Sequence, residues 1–266
     1  MIDSGKQSIL GILINIIDYE AAIKRVMAAG RQRESLLVSA LAVHGVMTGV
    51  LDPQHRYRLN RFDILVPDGQ PVRWALNLLH AAGLTDRVYG PKLTLQLFER
   101  AADENLPVYM YGTTDEVLLG LRGRLLERFP NLTIAGHMAS RFRQISEHEE
   151  LEIANEIRNS GARIVFVALG CPRQEVWAHE HRRLLPLPIV AIGAAFPFIA
   201  GTLAQAPEFI QRLGLEWLFR LVREPRRLWR RYILLNAAYL CLVALQSLGK
   251  RFDAKGKPPS GNLLFG

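Results

Sequence analysis

The sequence predicts an α/β fold: a mostly parallel sheet covered by helices on both faces, followed by a basic amphipathic helical appendage. Three observations carry this prediction. Short apolar runs alternate with helix-like segments as far as residue 192. Some of those runs, such as IVFVALG at 164–170, are apolar throughout, as strands buried on both sides must be. Finally, the segment from Pro207 onward holds eleven Lys/Arg against four Asp/Glu, so nearly all of the net +8 lies there.

The elements follow in order. Strands are expected at Ser8–Ile17, Leu36–Leu41, Ile64–Val66, Val108–Tyr111, Leu132–Ala135, Ile164–Leu169 and Ile189–Ile192. Helical periodicity marks 18–29, 70–82, 92–105, 115–129, 147–160 and 173–185. Ser146 and Glu149 form the spacing of a capping box that opens one of these helices. Half the residues (49%) are hydrophobic, which excludes a disordered chain and allows a large core. The two cysteines, Cys171 and Cys241, make neither a disulfide framework nor a zinc set, and a reducing, cytoplasmic compartment is expected. The apolar N-terminal run has an acidic start and no cleavage site, so it is read as a strand rather than a signal peptide.

In a Rossmann-like sheet, ligands collect at the carboxyl ends of the strands. Four such ends draw attention. Pro67-Asp68-Gly69 fixes a carboxylate at the rim beside a helix start, as a cap or a functional group. Tyr111-Gly112-Thr113-Thr114 offers backbone N–H groups and hydroxyls to a phosphate or a sugar. Leu169-Gly170-Cys171-Pro172-Arg173-Gln174-Glu175 holds more polar groups than capping requires, which points to binding. Gly193-Ala194-Ala195 lets a ligand, or a packed helix, approach the backbone. The histidines form no ligand set on one face, so no metal is expected.

The appendage adds a second theme. Arg220, Arg223, Arg227, Arg230 and Arg231 fall within roughly 100° of helical arc. Pro225 should split the helix that carries them. The following apolar run, Tyr232–Leu248, contains Asn236 and Gln246 and is short for a membrane span, which needs about 20 residues. An interfacial element on lipid phosphates is expected, with a solvated basic face over a buried helix as the alternative. Nucleic-acid binding has no motif to support it.

With PDGQPVRWA, DRVYG, YGTT, LGCPRQEVW, AGTLAQAP and LEWLFRLVREPRRLWRRY in view, the chain resembles the WecG/TagA/CpsF glycosyltransferases of bacterial surface-polysaccharide synthesis. The likeness runs from about Gly11 to Leu245. It implies an inverting transfer from a UDP-sugar to a polyprenyl-diphosphate-linked sugar at the inner face of the cytoplasmic membrane. No Asp-x-Asp signature follows a strand, so metal-independent chemistry without a cofactor is expected. By the same resemblance Asp68 is the general base and Arg87 stabilises the departing diphosphate. Ser39, Gly112, Thr113, Gly170, Pro172, Gln174, Glu175 and Gly193 belong to the sugar and nucleotide pocket. Arg220, Arg223, Arg227 and Arg230 grip the lipid diphosphate.

Leu41, Lys92, Pro197 and Gln205 depart from the family pattern and point away from an N-acetylmannosamine-type donor. A non-catalytic nucleotide- or lipid-binding accessory is the alternative function, and a homo-oligomer stays open. Three parts are expected: a catalytic domain (1–206), a membrane-associating appendage (207–250) and a flexible tail (251–266). Truncation after residue 206 is expected to leave a more soluble protein with little activity.

Overall fold

In the fully apolar strands, successive side chains leave the pleat on opposite sides and both sides find a core. Val165 and Val167 point into one apolar layer, and Ile164 and Phe166 into the other. The computed structural model describes residues 1–261 and 263–266. The side chains of Glu208, Arg227, Arg230 and Arg231 lie outside the described residues, and with them two of the four expected lipid-binding arginines.

The central sheet has six strands: β3 (Leu36–Leu41), β4 (Ile64–Pro67), β5 (Val108–Tyr111), β6 (Ile134–Met138), β7 (Ile164–Val167) and β8 (Pro188–Ala191). They lie in the order β4-β3-β8-β7-β5-β6, every pair parallel. The expected first strand is instead a hairpin of β1 (Asp3–Ile9) and β2 (Ile12–Ile17). It turns at Leu10-Gly11, both with positive φ, which suits a two-residue connection. The hairpin covers the β4 edge, where Asn15 Oδ1 accepts a hydrogen bond from Leu65 N at 2.8 Å.

One face carries α1 (Tyr19–Gln32), α5 (Gly90–Asp103), α6 (Asp115–Arg128) and α9 (Ala195–Ala200). The other carries α2 (Val43–Leu51), α4 (Gln70–His80), α7 (Glu147–Asn159) and α8 (Arg173–His181), with α3 (Pro53–Leu59) beside them. The capping box at Ser146 and Glu149 is present at the start of α7. Helices α2, α3 and α9 were not expected from periodicity. They are short, and α2 carries Gly45 and Gly49, which weaken its local signal.

Pro225 splits the appendage as anticipated, into α11 (Glu216–Arg223) and α12 (Pro225–Ser247), preceded by α10 (Glu208–Arg212). Helix α12 lies on α2 and α4, burying Leu228, Tyr239 and Val243. Tyr239 Oη donates to Pro71 O at 3.2 Å. Gln246 ties α12 to the hairpin: its Oε1 accepts from Leu10 N at 2.8 Å, and its Nε2 donates to Ser8 O at 2.9 Å. Among the described residues, no helix is long and apolar enough to cross a membrane.

The final residues, expected as a loose tail, run back over the body. Lys257 N donates to Pro53 O, Ile145 N to Leu264 O, and Gly266 N to Arg143 O. Asn60 Nδ2 donates to Ala254 O at 2.8 Å.

Candidate active site

Strand β4 ends at Pro67, and the next residue already turns towards α4. Asp68 N donates to Leu41 O on the neighbouring strand, which pins the turn. Asp68 Oδ1 accepts from Gly90 N at 2.6 Å, at the start of α5. The DRVYG segment is drawn beside it because Val88 N donates to Pro67 O. One strand end thus brings the carboxylate and Arg87 together. Burial pushes the Asp68 carboxyl above its ordinary value, against the opposing pull of Arg87 and the Gly90 N–H. It is therefore a stronger base than a solvated aspartate.

Asp68 faces a cavity of about 590 Å³ across the carboxyl ends of the parallel strands. Thr113, Gly170, Gln174, Glu175 and Gly193 line the same cavity, so residues from four separate strand ends converge on it. Ser39 sits behind it, fully buried in β3, and its Oγ donates to Glu175 Oε1 at 2.9 Å. Gln174 Nε2 donates to the same oxygen at 2.8 Å. Glu175, fully buried with its pKa raised by burial, thereby orients Gln174. Among the described residues, the buried Gln174 Oε1 has no hydrogen-bond partner.

Gly193, at φ +51°, leaves that amide its room: a Cβ there would lie 3.1 Å from Gln174 Oε1. Gly112 and Pro172 stand next to the cavity wall rather than in it. Gly112 is needed for packing, since at φ +100° a Cβ would meet the Ala168 carbonyl at 2.9 Å.

The appendage closes the site from the other side. Arg220 lines the cavity at the Asp68 end, whereas Arg223 lies over the Phe219 ring, 4.8 Å from its centre. Glu216, which sequence reasoning missed, is central. Its Oε2 accepts from Arg87 Nη2 at 2.9 Å, and its Oε1 from Tyr89 Oη at 2.9 Å. Arg87 also stacks on Tyr89, 4.2 Å from the ring centre, and donates to Gln211 Oε1 at 3.3 Å. Gln205 Nε2 donates to Tyr89 Oη at 3.0 Å. Tyr89 lies in DRVYG and Glu216 in LEWLFRLVREPRRLWRRY, but their pairing had no local signal, since Glu216 is 129 residues from Arg87 in the chain.

His55, Cys171 and Glu175 place one ligand-type atom each within 4.8 Å of one another, a grouping the scattered histidines did not reveal. Glu175 Oε1 is already engaged by Ser39 and Gln174, and burial lowers the His55 pKa to about 4.

A rim carboxylate with raised basicity, an oriented amide and a guanidinium beside a strand-end cavity suit acyl- or glycosyl-type transfer, with the carboxylate taking a proton. Comparison with known proteins agrees. Residues 7–253 match the family described as "Glycosyl transferase WecG/TagA/CpsF family". Among curated proteins, the chain is similar to the N-acetylglucosaminyldiphosphoundecaprenol N-acetyl-beta-D-mannosaminyltransferase of Bacillus spizizenii. The two are 32% identical over 183 residues, which is 68% of each chain. The protein belongs to the WecG/TagA/CpsF family of glycosyl transferases.

Proposed function

We propose that this glycosyltransferase moves a sugar from a UDP-sugar to a hydroxyl of a polyprenyl-diphosphate-linked sugar, with inversion, at the inner surface of the bacterial membrane. The observation that carries the reading is the placement of Asp68: a carboxylate of raised pKa, held by Gly90 N–H, facing the strand-end cavity beside Arg87 and Arg220. Asp68 takes the proton from the acceptor hydroxyl as its oxygen attacks the anomeric carbon. The bond from that carbon to the diphosphate breaks on the opposite side, which inverts the centre. Arg87 offsets the charge that gathers on the departing diphosphate. Gln174, oriented by Glu175, holds a sugar hydroxyl or amide through its Oε1.

The Bacillus spizizenii relative is named for an N-acetylglucosaminyl-diphosphoundecaprenol acceptor, and we take that lipid class as the acceptor here. The donor is read as different from N-acetylmannosamine, because Leu41 and Pro197 line the strand-end cavity. The appendage supports a membrane-peripheral setting. Phe209, Val222, Ile233 and Leu234 point outward from α10, α11 and α12, close in sequence to the arginine series.

The test uses the full chain with N-acetylglucosaminyl-diphosphoprenol and a panel of UDP-hexoses, UDP-N-acetylhexosamines and UDP-hexuronates. One donor should release UDP in the presence of EDTA, and Asp68→Asn should lower that rate at least about 100-fold. Release from no donor, or an unaffected Asp68→Asn rate, would overturn the reading.

A further inference from the structure

Beside the strand-end cavity lies a second, larger one of about 780 Å³, between α5, α6, α9 and α10. The two differ in charge. The strand-end cavity has Asp68, Glu175, Glu216 and Glu224 against Arg220. The second has Arg87, Lys92, Arg124, Arg128 and Arg212 against Asp86 and Glu127. A diphosphate carries at least two negative charges, so Coulomb energy disfavours the first cavity and favours the second.

The placement of the cations fits an anion of that size. Arg87 is 7% exposed and forms part of the wall. Its Nη2 is already engaged by Glu216 and Gln211, so Arg87 closes the wall, and the cations offered to an anion are those at the rim. Lys92, Arg124 and Arg128 stand at the rim, exposed to solvent, and form no salt bridge among the described residues. Lys92 reaches over the Tyr19 ring, 4.9 Å from its centre, towards the same opening. Three residues, Tyr89, Pro91 and Phe198, line both cavities, so one ligand can extend from the basic side to Asp68.

We infer that the cavity bounded by Lys92, Arg124 and Arg128 is a diphosphate site, which anchors a sugar diphosphate so that its sugar reaches Asp68. This deepens the transfer reading above and rests on it. Both substrates of such a reaction carry a diphosphate: the nucleotide sugar and the lipid-linked sugar. The shared chemistry is the polyphosphate itself, and the two sources are separated by experiment.

Dissociation constants are measured by calorimetry on the full chain for inorganic pyrophosphate, UDP and farnesyl diphosphate. The wild type is compared with the double variant Arg124→Gln/Arg128→Gln and with Lys92→Gln. These side chains are exposed, so thermal melts should coincide with the wild type; should the double variant misfold, Lys92→Gln gives the reading. Pyrophosphate should bind the wild type and weaken by about tenfold or more in the double variant. An equal weakening of UDP assigns the site to the donor, and of farnesyl diphosphate to the lipid acceptor. Undetectable pyrophosphate binding to the wild type, or binding unchanged in the variants, would overturn the site. Turnover that proceeds with unchanged KM in the double variant would remove the site and spare the transfer reading. Pyrophosphate binding that depends on Arg124 and Arg128, without turnover of any donor, would do the reverse.

Discussion

As the proposed base, Asp68 combines two requirements that ordinarily conflict. It would have to be ionised to accept a proton, yet burial raises its pKa. The consequence for rate is an acid limb in kcat/KM lying above the ordinary aspartate value of 3.8, measurable with the matched donor. For stability, the sign runs the other way. A carboxyl whose folded pKa is raised binds its proton more tightly when folded, so its contribution is present below the unfolded pKa and is lost as pH rises through the folded one. Asp68→Asn keeps the acceptor for Gly90 N–H and removes the buried charge. Its melting temperature at pH 7 should equal or exceed that of the wild type while activity is lost; a marked drop would show that Asp68 is structural. Gly112→Ala should act oppositely, costing about 2 kcal/mol and about 5 °C through strain against Ala168, as thermal melts would show. At this scale the sequence was readable where chemistry and backbone coincide. Pro67-Asp68-Gly69 and Gly170 through Glu175 advertise strand ends. Glu175 itself was read as lining for a substrate, and its role in orienting Gln174 needed the fold, because Ser39 lies 136 residues away.

Among elements, α11 is the one on which the site depends. It has no buried residue among those described, and its hold on the body includes Glu216 with Arg87 and Tyr89. Glu216→Ala leaves a nearly buried guanidinium without its carboxylate, a loss on the order of 2 kcal/mol. We expect cleavage by trypsin around residues 207–224 to accelerate markedly while the remaining body resists; an unchanged digestion pattern would mean that α11 is held by other contacts. The strands and the longer helices were legible because burial on both faces leaves an apolar run and one-sided burial leaves a 3.6-residue period. Helices α2 and α3 were not, since at nine and seven residues each spans only about two turns, too few for an apolar stripe to repeat. The hairpin was hidden for a different reason: Leu10-Gly11 interrupts an otherwise continuous β-prone stretch without a polar turn residue.

For the molecule as a whole, the expected division at residue 206 does not correspond to a gap in packing. Tyr239 and Val243 are buried against the body, and Leu264 joins the same apolar layer. Removing residues 207–266 would strip cover from α2 and α4 and from the hairpin, so the greater solubility anticipated from charge alone does not follow. The truncated protein should bind a hydrophobic dye strongly and melt well below the full chain; a folded, dye-silent product would restore the picture of an independent appendage. The charge asymmetry was visible in the sequence, but the contacts of Gln246, Asn60 and the final residues join positions that only the fold brings together.

Those contacts also bear on how the protein is made. Gln246 fastens the first hairpin, and Ala254 and Leu264 are held by groups at Asn60 and Ile145. During synthesis the hairpin therefore cannot complete these bonds until Gln246, 238 residues after Ser8, has emerged.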